Sequence, residues 1–137
     1  MDFNANIDLD VSSVRKQENG KSTSHCAVGR VTHSNGSVGY IIYLKASISG
    51  DEATDIEQYR SSHLDFPHES TLDQFFTEDQ FESYRRLGYH VAKQAFGGIG
   101  RPDNMVAAAA KLWDTWAPSS FSSEEFLVHT KTLDTAP

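Results

Sequence analysis

Along residues 24–32 and 38–45 the apolar positions recur at steps of two, which is the period of a β-strand. In the second run Val38, Tyr40, Ile42 and Leu44 alternate with Gly39, Ile41, Tyr43 and Lys45. Both faces carry apolar groups, so this strand is expected to be covered on both sides. The first run is lighter, with Cys26, Val28 and Val31 inward. Between the runs lies His33-Ser34-Asn35-Gly36-Ser37. An Asn-Gly pair tolerates positive φ at two successive positions, which predicts a type I′ hairpin turn.

Beyond residue 52 the period lengthens to three and four. Residues 52–61 predict a short helix with Ile56 and Tyr59 on one face. Leu64-Asp65-Phe66-Pro67 ends it, because the residue before a proline is pushed out of the α region. Ser70-Thr71-Leu72-Asp73 predicts one further helical turn, with Leu72, Phe75 and Phe76 inward. Thr77-Glu78-Asp79-Gln80 has the form of a capping box and opens a long helix over 78–95. Its apolar stripe is Phe81, Tyr84, Leu87, Gly88, Val91 and Ala95.

Gly97-Gly98-Ile99-Gly100-Arg101-Pro102 stops that helix. Asp103 or Asn104 then caps another over 105–116, and Pro118-Ser119-Ser120 sets off a last amphipathic piece over 123–133. Two strands cannot make a self-sufficient sheet. The expected fold is therefore α+β: an antiparallel β-hairpin packed against three or four helices in one small domain over 24–134. Residues 1–23 are dominated by Asp, Asn, Ser, Lys and Gln, with Phe3, Ile7, Leu9, Val11 and Val14 scattered among them. That composition predicts a disordered N-terminal tail.

Within 24–96 the chain carries an ordered set of short motifs. They are His25-x-Ala27-x-Gly29-x-Val31, Gly39-x-x-x-Tyr43-Leu44-Lys45, Ser47-x-x-Gly50-Asp51-Glu52, Asp55 and Tyr59. Next comes Phe66-Pro67-His68-Glu69-Ser70-Thr71-Leu72-Asp73-Gln74-Phe75-Phe76, running into Gln80-Phe81-Glu82-Ser83-Tyr84-Arg85-Arg86-Leu87-Gly88. The set resembles the C-terminal segment of large bacterial patatin-like proteins, which are lipid acyl hydrolases with a Ser-Asp dyad. Ala46 stands where that family has a proline. The resemblance implies an accessory fold whose structural signature is Phe66, Pro67, His68, Ser70, Thr71, Asp73, Gln74, Phe75 and Phe76. It implies no activity for this chain, since neither a Gly-x-Ser-x-Gly elbow nor an Asp-Gly pair occurs in it. The implied role is a non-catalytic accessory segment. The alternative is a stand-alone interaction module that joins a separate chain through its hairpin edge. A third reading is an enzyme built around His68 and Asp73.

Charge narrows the partners. Net charge is −7 over 137 residues, yet 51–82 holds ten acidic residues against Arg60 alone. This acidic stretch disfavours nucleic-acid phosphate and anionic lipid; it reads first as a solvated helical face. No stretch approaches the roughly 20 apolar residues of a transmembrane helix. Peripheral membrane contact is compatible with the sequence but not indicated by it, because the helix bearing Trp113 and Trp116 has only Lys111 as a basic residue. One cysteine, Cys26, excludes an internal disulfide and fits a reducing compartment. The chain is thus expected to be cytoplasmic, with membrane-peripheral placement as the variant.

Other tempting chemistry dissolves on inspection. Gly20-Lys21-Ser22-Thr23 resembles the end of a phosphate loop, but that motif needs a glycine where Arg15 stands. Gly97-Gly98-Ile99-Gly100-Arg101 follows a helix rather than a strand, so a helix stop is expected instead of an oxyanion loop. His63 and His68 lie near Asp65, Glu69 and Asp73, but Pro67 breaks the helix that would align metal ligands. His68 and Asp73 are expected to hold the local backbone in shape. No metal, cofactor or catalytic residue is assigned. Expected partners are a second copy of the chain or a separate patatin-like catalytic chain, meeting apolar surface near Val38, Tyr40, Ile42 or Trp113.

Overall fold

The computed structural model describes residues 5–70, 72 and 75–118. It contains three strands, β1 (Ala5–Asp8), β2 (Cys26–His33) and β3 (Val38–Leu44). Three helices follow: α1 (Thr54–Ser62), α2 (Glu78–Gly97) and α3 (Met105–Trp116). The sheet is antiparallel in the order β1-β2-β3, so the expected α+β class holds. The piece expected over 123–133 lies outside the described residues.

The hairpin forms where the alternation predicted it, but its turn differs. Gly36 has φ 80°, while among the described residues none other than glycine has positive φ. Asn35 therefore stays out of the left-handed region, and the turn is not type I′. The Gly36 N–H donates to the His33 carbonyl and the His33 N–H to the Ser37 carbonyl, at 2.9 Å each. This is a three-residue loop with Gly36 in the left-handed place. Asn35 Oδ1 instead accepts the Ser37 N–H at 2.9 Å, a local bond that favours this turn.

From Ala5 onward the N-terminal segment is not an unpacked tail. Residues 5–8 pair with 30–33, and a 3-10 turn at Ser12–Val14 buries Val14. The Ser13 carbonyl accepts the Thr23 and Ser24 N–H groups at 3.0 Å each, and Lys45 Nζ donates to the Val14 carbonyl at 3.1 Å. Composition misled because backbone pairing needs no apolar side chains. The crossing requires Gly29, where an added Cβ would lie 2.5 Å from the Asp8 carbonyl oxygen and 2.9 Å from Leu9.

Opposed residues on paired strands share a face. Cys26 and Val28 thus lie with Leu44 and Ile42 on the helix side of the sheet. There Cys26, Val28, Ala95 and Trp113 form one buried cluster, with Tyr40 edge-on to Trp113 at 5.2 Å. Burial pushes the Cys26 thiol up to about 11, as befits an inert core cysteine. The second cluster is Ile48, Ile56, Phe66, Leu87 and Val91. Phe66 meets Tyr59 and Tyr84 edge-on at 5.1 and 4.9 Å. Double-sided cover of β3 is not found: Ile42, Tyr43 and Leu44 are all exposed. Among the described residues β3 has β2 as its one strand neighbour.

Helix ends follow their local chemistry. Thr77 and Gln80 form the expected reciprocal cap of α2, and Asn104 Oδ1 accepts the Ala107 N–H at 2.8 Å to start α3. The glycines at 97–98 end α2, and the buried Ile99 that follows is held by Lys111 Nζ, which donates to its carbonyl at 2.6 Å. The stripe of α2 is narrower than its sequence suggests. Phe81 points into solvent, while Gln80, kept inward by its cap and by Glu69, is buried.

Candidate functional site

Four titratable side chains converge where the start of β2, the 47–52 loop and α2 meet. They are His25, Asp51, Glu52 and His90, and one ligating atom from each lies within 4.8 Å of every other. His25 is 2% exposed. Its Nδ1 lies 2.9 Å from Ser47 Oγ and its Nε2 lies 3.0 Å from Ser49 Oγ. Nε2 is also 3.7 Å from Glu52 Oε1 and 3.9 Å from Asp51 Oδ1. The His25 and His90 rings meet edge-on at 5.5 Å.

The loop folds so as to bury a charge at low cost. Ser47 and Ile48 run beside Ser22, whose N–H donates to the Ile48 carbonyl at 2.7 Å. The chain then turns at Gly50, with Lys21 packed over it. Glu52, whose side chain is fully buried, bends back into this turn. Its Oε1 accepts the Ser49 N–H at 2.6 Å and its Oε2 the Gly50 N–H at 2.8 Å. Burial favours the neutral acid, but these backbone donors and the Ser49 hydroxyl outweigh it and lower the Glu52 pKa.

Asp51 sits at the solvent edge and reaches α2. Its Oδ1 lies 3.2 Å from His90 Nε2, and its Oδ2 accepts from the Gln94 amide. His90 and Gln94 are four apart, on one row of the helix. Burial works to raise the Asp51 pKa, but the Ser49 hydroxyl and His90 prevail and lower it. The His25 pKa is lowered as well; desolvation is the main cause, against the pull of Glu52 and Asp51. An open cleft of about 420 Å³ between α1 and α2, walled by Arg85, Arg86, Tyr89 and Lys93, leads to His90.

A hydroxyl 3.0 Å from an imidazole invites a nucleophilic reading of Ser49 and His25. The surroundings speak against it. Acyl transfer needs free N–H donors for the oxyanion, and the Ser49 and Gly50 N–H groups are already taken by Glu52. Two carboxylates beside the hydroxyl would also repel a developing negative charge. Two imidazoles with two carboxylates are better suited to a cation.

The signature residues behave differently. Phe66 is buried and the Phe66–Pro67 peptide is cis. Leu72, Phe75 and Phe76 are exposed, against the expectation of an inward face. Tyr59 and Tyr84 already close over Phe66, and the Phe76 ring centroid lies 5.7 Å from that of Tyr84. Thr71, Asp73 and Gln74 lie outside the described residues. Ser70 Oγ accepts the Leu72 N–H at 3.2 Å, and the His68 N–H donates to the Asp65 carbonyl at 2.6 Å. His68 is lowered by the protein packed beneath it, then by Lys45 and Lys16. His63 stacks on Tyr59; neither histidine joins the four-residue cluster.

Sequence reasoning missed that cluster: it counts Asp51 and Glu52 as part of the acidic stretch over 51–82 and takes neither His25 nor His90 as a ligand. One signal was present: His90 lies between Leu87 and Val91 on the apolar side of α2. No family model matches the chain, and no curated protein or solved structure matches it either.

Proposed function

We propose that this chain is a non-catalytic accessory segment, of the kind that the patatin-like resemblance implies, and that it joins a larger catalytic chain through the outer edge of β3. The observation that carries this reading is the apolar end of β3, where Ile42, Tyr43 and Leu44 are exposed in sequence beside an edge with no further strand among the described residues. Unpaired edge N–H and C=O groups add strands from other chains, and contiguous exposed apolar residues mark contact surfaces. The occupied N–H groups at Ser49 and Gly50 support the non-catalytic part. Among the described residues no helix is long and apolar enough to cross a membrane.

The test is co-purification with a separately expressed patatin-like catalytic chain, beside light scattering of the chain alone across a dilution series. Association that is lost in Tyr43→Lys and kept in Phe75→Ser supports the edge. A monodisperse monomer at high concentration, bound by neither apolar dyes nor the catalytic chain, would remove it. Turnover of a short-chain acyl ester that disappears in Ser49→Ala would overturn the non-catalytic part.

A further inference from the structure

The most unusual polar arrangement in the molecule is not at β3. Around Ser49 Oγ stand His25 Nε2 at 3.0 Å, Glu52 Oε1 at 3.1 Å and Asp51 Oδ1, itself 3.2 Å from His90 Nε2. A hydroxyl has one proton. It can serve one of these three acceptors at a time; the carboxylates draw further hydrogen bonds from the Ser49 and Gly50 N–H groups and from Gln94, and their remaining lone pairs converge with the imidazole nitrogens on one point.

We infer that His25, Asp51, Glu52 and His90 form a binding site for one divalent transition-metal ion, Zn²⁺ being the best fit. Two imidazoles and two carboxylates make a borderline nitrogen–oxygen set, which suits zinc better than magnesium or calcium. With both imidazoles neutral, the two carboxylates match a divalent charge. Metal–ligand bonds of ~2.0–2.1 Å place tetrahedral ligands roughly 3.3 Å apart. His90 to Asp51 is 3.2 Å, and His25 to Glu52 and Asp51 is 3.7 and 3.9 Å. With every pair within 4.8 Å, side-chain movements on the order of an ångström, together with rotation of Ser49 Oγ out of the centre, bring all four to tetrahedral spacing.

The supports behind the ligands are already in place. With the His25 proton on Nδ1, that N–H donates to Ser47 Oγ, and the hydroxyl passes its own to the Ser24 or Lys45 carbonyl, 3.4 and 3.3 Å away. Nε2 then faces the ligand set with its lone pair, the usual orientation of a metal-bound imidazole. Backbone N–H groups fix Glu52, and Gln94 fixes Asp51. Asp51 is 49% exposed and His90 19%, so an ion can enter from the solvent side. Four protein ligands close the site, which makes it structural: a clasp that ties the start of β2 and the 47–52 loop to α2.

The inference does not rest on the β3 reading and is tested without a partner. The chain is stripped with chelator, then titrated with zinc chloride in a calorimeter and followed by thermal unfolding. Expected are one ion per chain, a raised melting temperature reversed by chelator, and tetrahedral d–d absorption with Co²⁺. His90→Ala and Asp51→Asn, both at the solvent edge, should fold yet bind zinc at least about tenfold more weakly. His63→Ala should bind as the parent does. An unchanged melting temperature with zinc, equal affinity in His90→Ala, or stabilisation by magnesium alone would overturn the assignment.

Discussion

Positions 47–52 are polar at nearly every residue, and positions 66–76 hold four large apolar side chains, yet the polar stretch is the more deeply buried. Ser47, Ile48 and Glu52 are inside, whereas Leu72 and Phe75 are 90% and 92% exposed. The difference is one of partners. Each polar group of the loop finds a complementary atom: Glu52 in two N–H groups, His25 in Ser47 and Ser49, Ser22 in the Ile48 carbonyl. A buried polar group is costly when unpaired and tolerable when satisfied. In the aromatic stretch Phe66 fills the socket between Tyr59 and Tyr84, while Leu72 and Phe75 stay largely exposed. Hydropathy states what a residue gains from burial; the surroundings decide whether a place exists for it.

The largest way to sharpen this contrast is Phe66→Ala. Deleting a fully buried ring between two tyrosines should cost about 3–5 kcal/mol of stability, read as a lower midpoint in urea unfolding. Glu52→Gln comes next. The amide keeps the shape but turns an N–H pair toward a backbone donor, and losing a charged double acceptor should cost about 2–3 kcal/mol. A loss under about 0.5 kcal/mol would mean that the loop opens without penalty, and the contrast would fail.

Acidification gives a smaller, graded effect. The folded pKa of His25 lies below its ordinary 6.5, so the unfolded chain binds that proton more readily. Its contribution is complete above pH ~6.5 and is lost as pH falls through the folded value. Glu52 has the same sign, with loss beginning below its ordinary 4.5. Stability measured in chelator should therefore fall steadily from pH 7 to pH 4, and His25→Asn should flatten the upper part of that profile. A rise on acidification would reverse the argument. Smallest of all, Phe75→Ala and Leu72→Ala should change stability by about 0.5 kcal/mol or less. Effects matching Phe66→Ala would show that these side chains are covered in solution.

What the sequence discloses follows from how local each cause is. The hairpin, the cap at Thr77 and Gln80, the helix stop at 97–98 and the cap at Asn104 all depend on residues within a few positions of one another. Each is found where the pattern places it. The loop type at Asn35 was misjudged because Gly36 satisfies two different turns. β1 was hidden because its four residues are all exposed and pair by backbone alone. The cluster of His25, Asp51, Glu52 and His90 was hidden for a different reason. Its members are separated by up to 65 positions, as residue numbers show, and meet only when α2 docks. Phe81 and Phe75 misled in the other direction, being largely exposed despite their apolar side chains.

Helix α2 gives Leu87 and Val91 to one core cluster and Ala95 to the other, with His90 between Leu87 and Val91. It is a shared wall, and neither chamber can be dismantled while the other stands. The two halves of this small protein should consequently melt in a single transition, with the same midpoint for tyrosine-side and tryptophan-side probes. An ion held at His90 should then raise that single midpoint for both probes, not for one cluster alone.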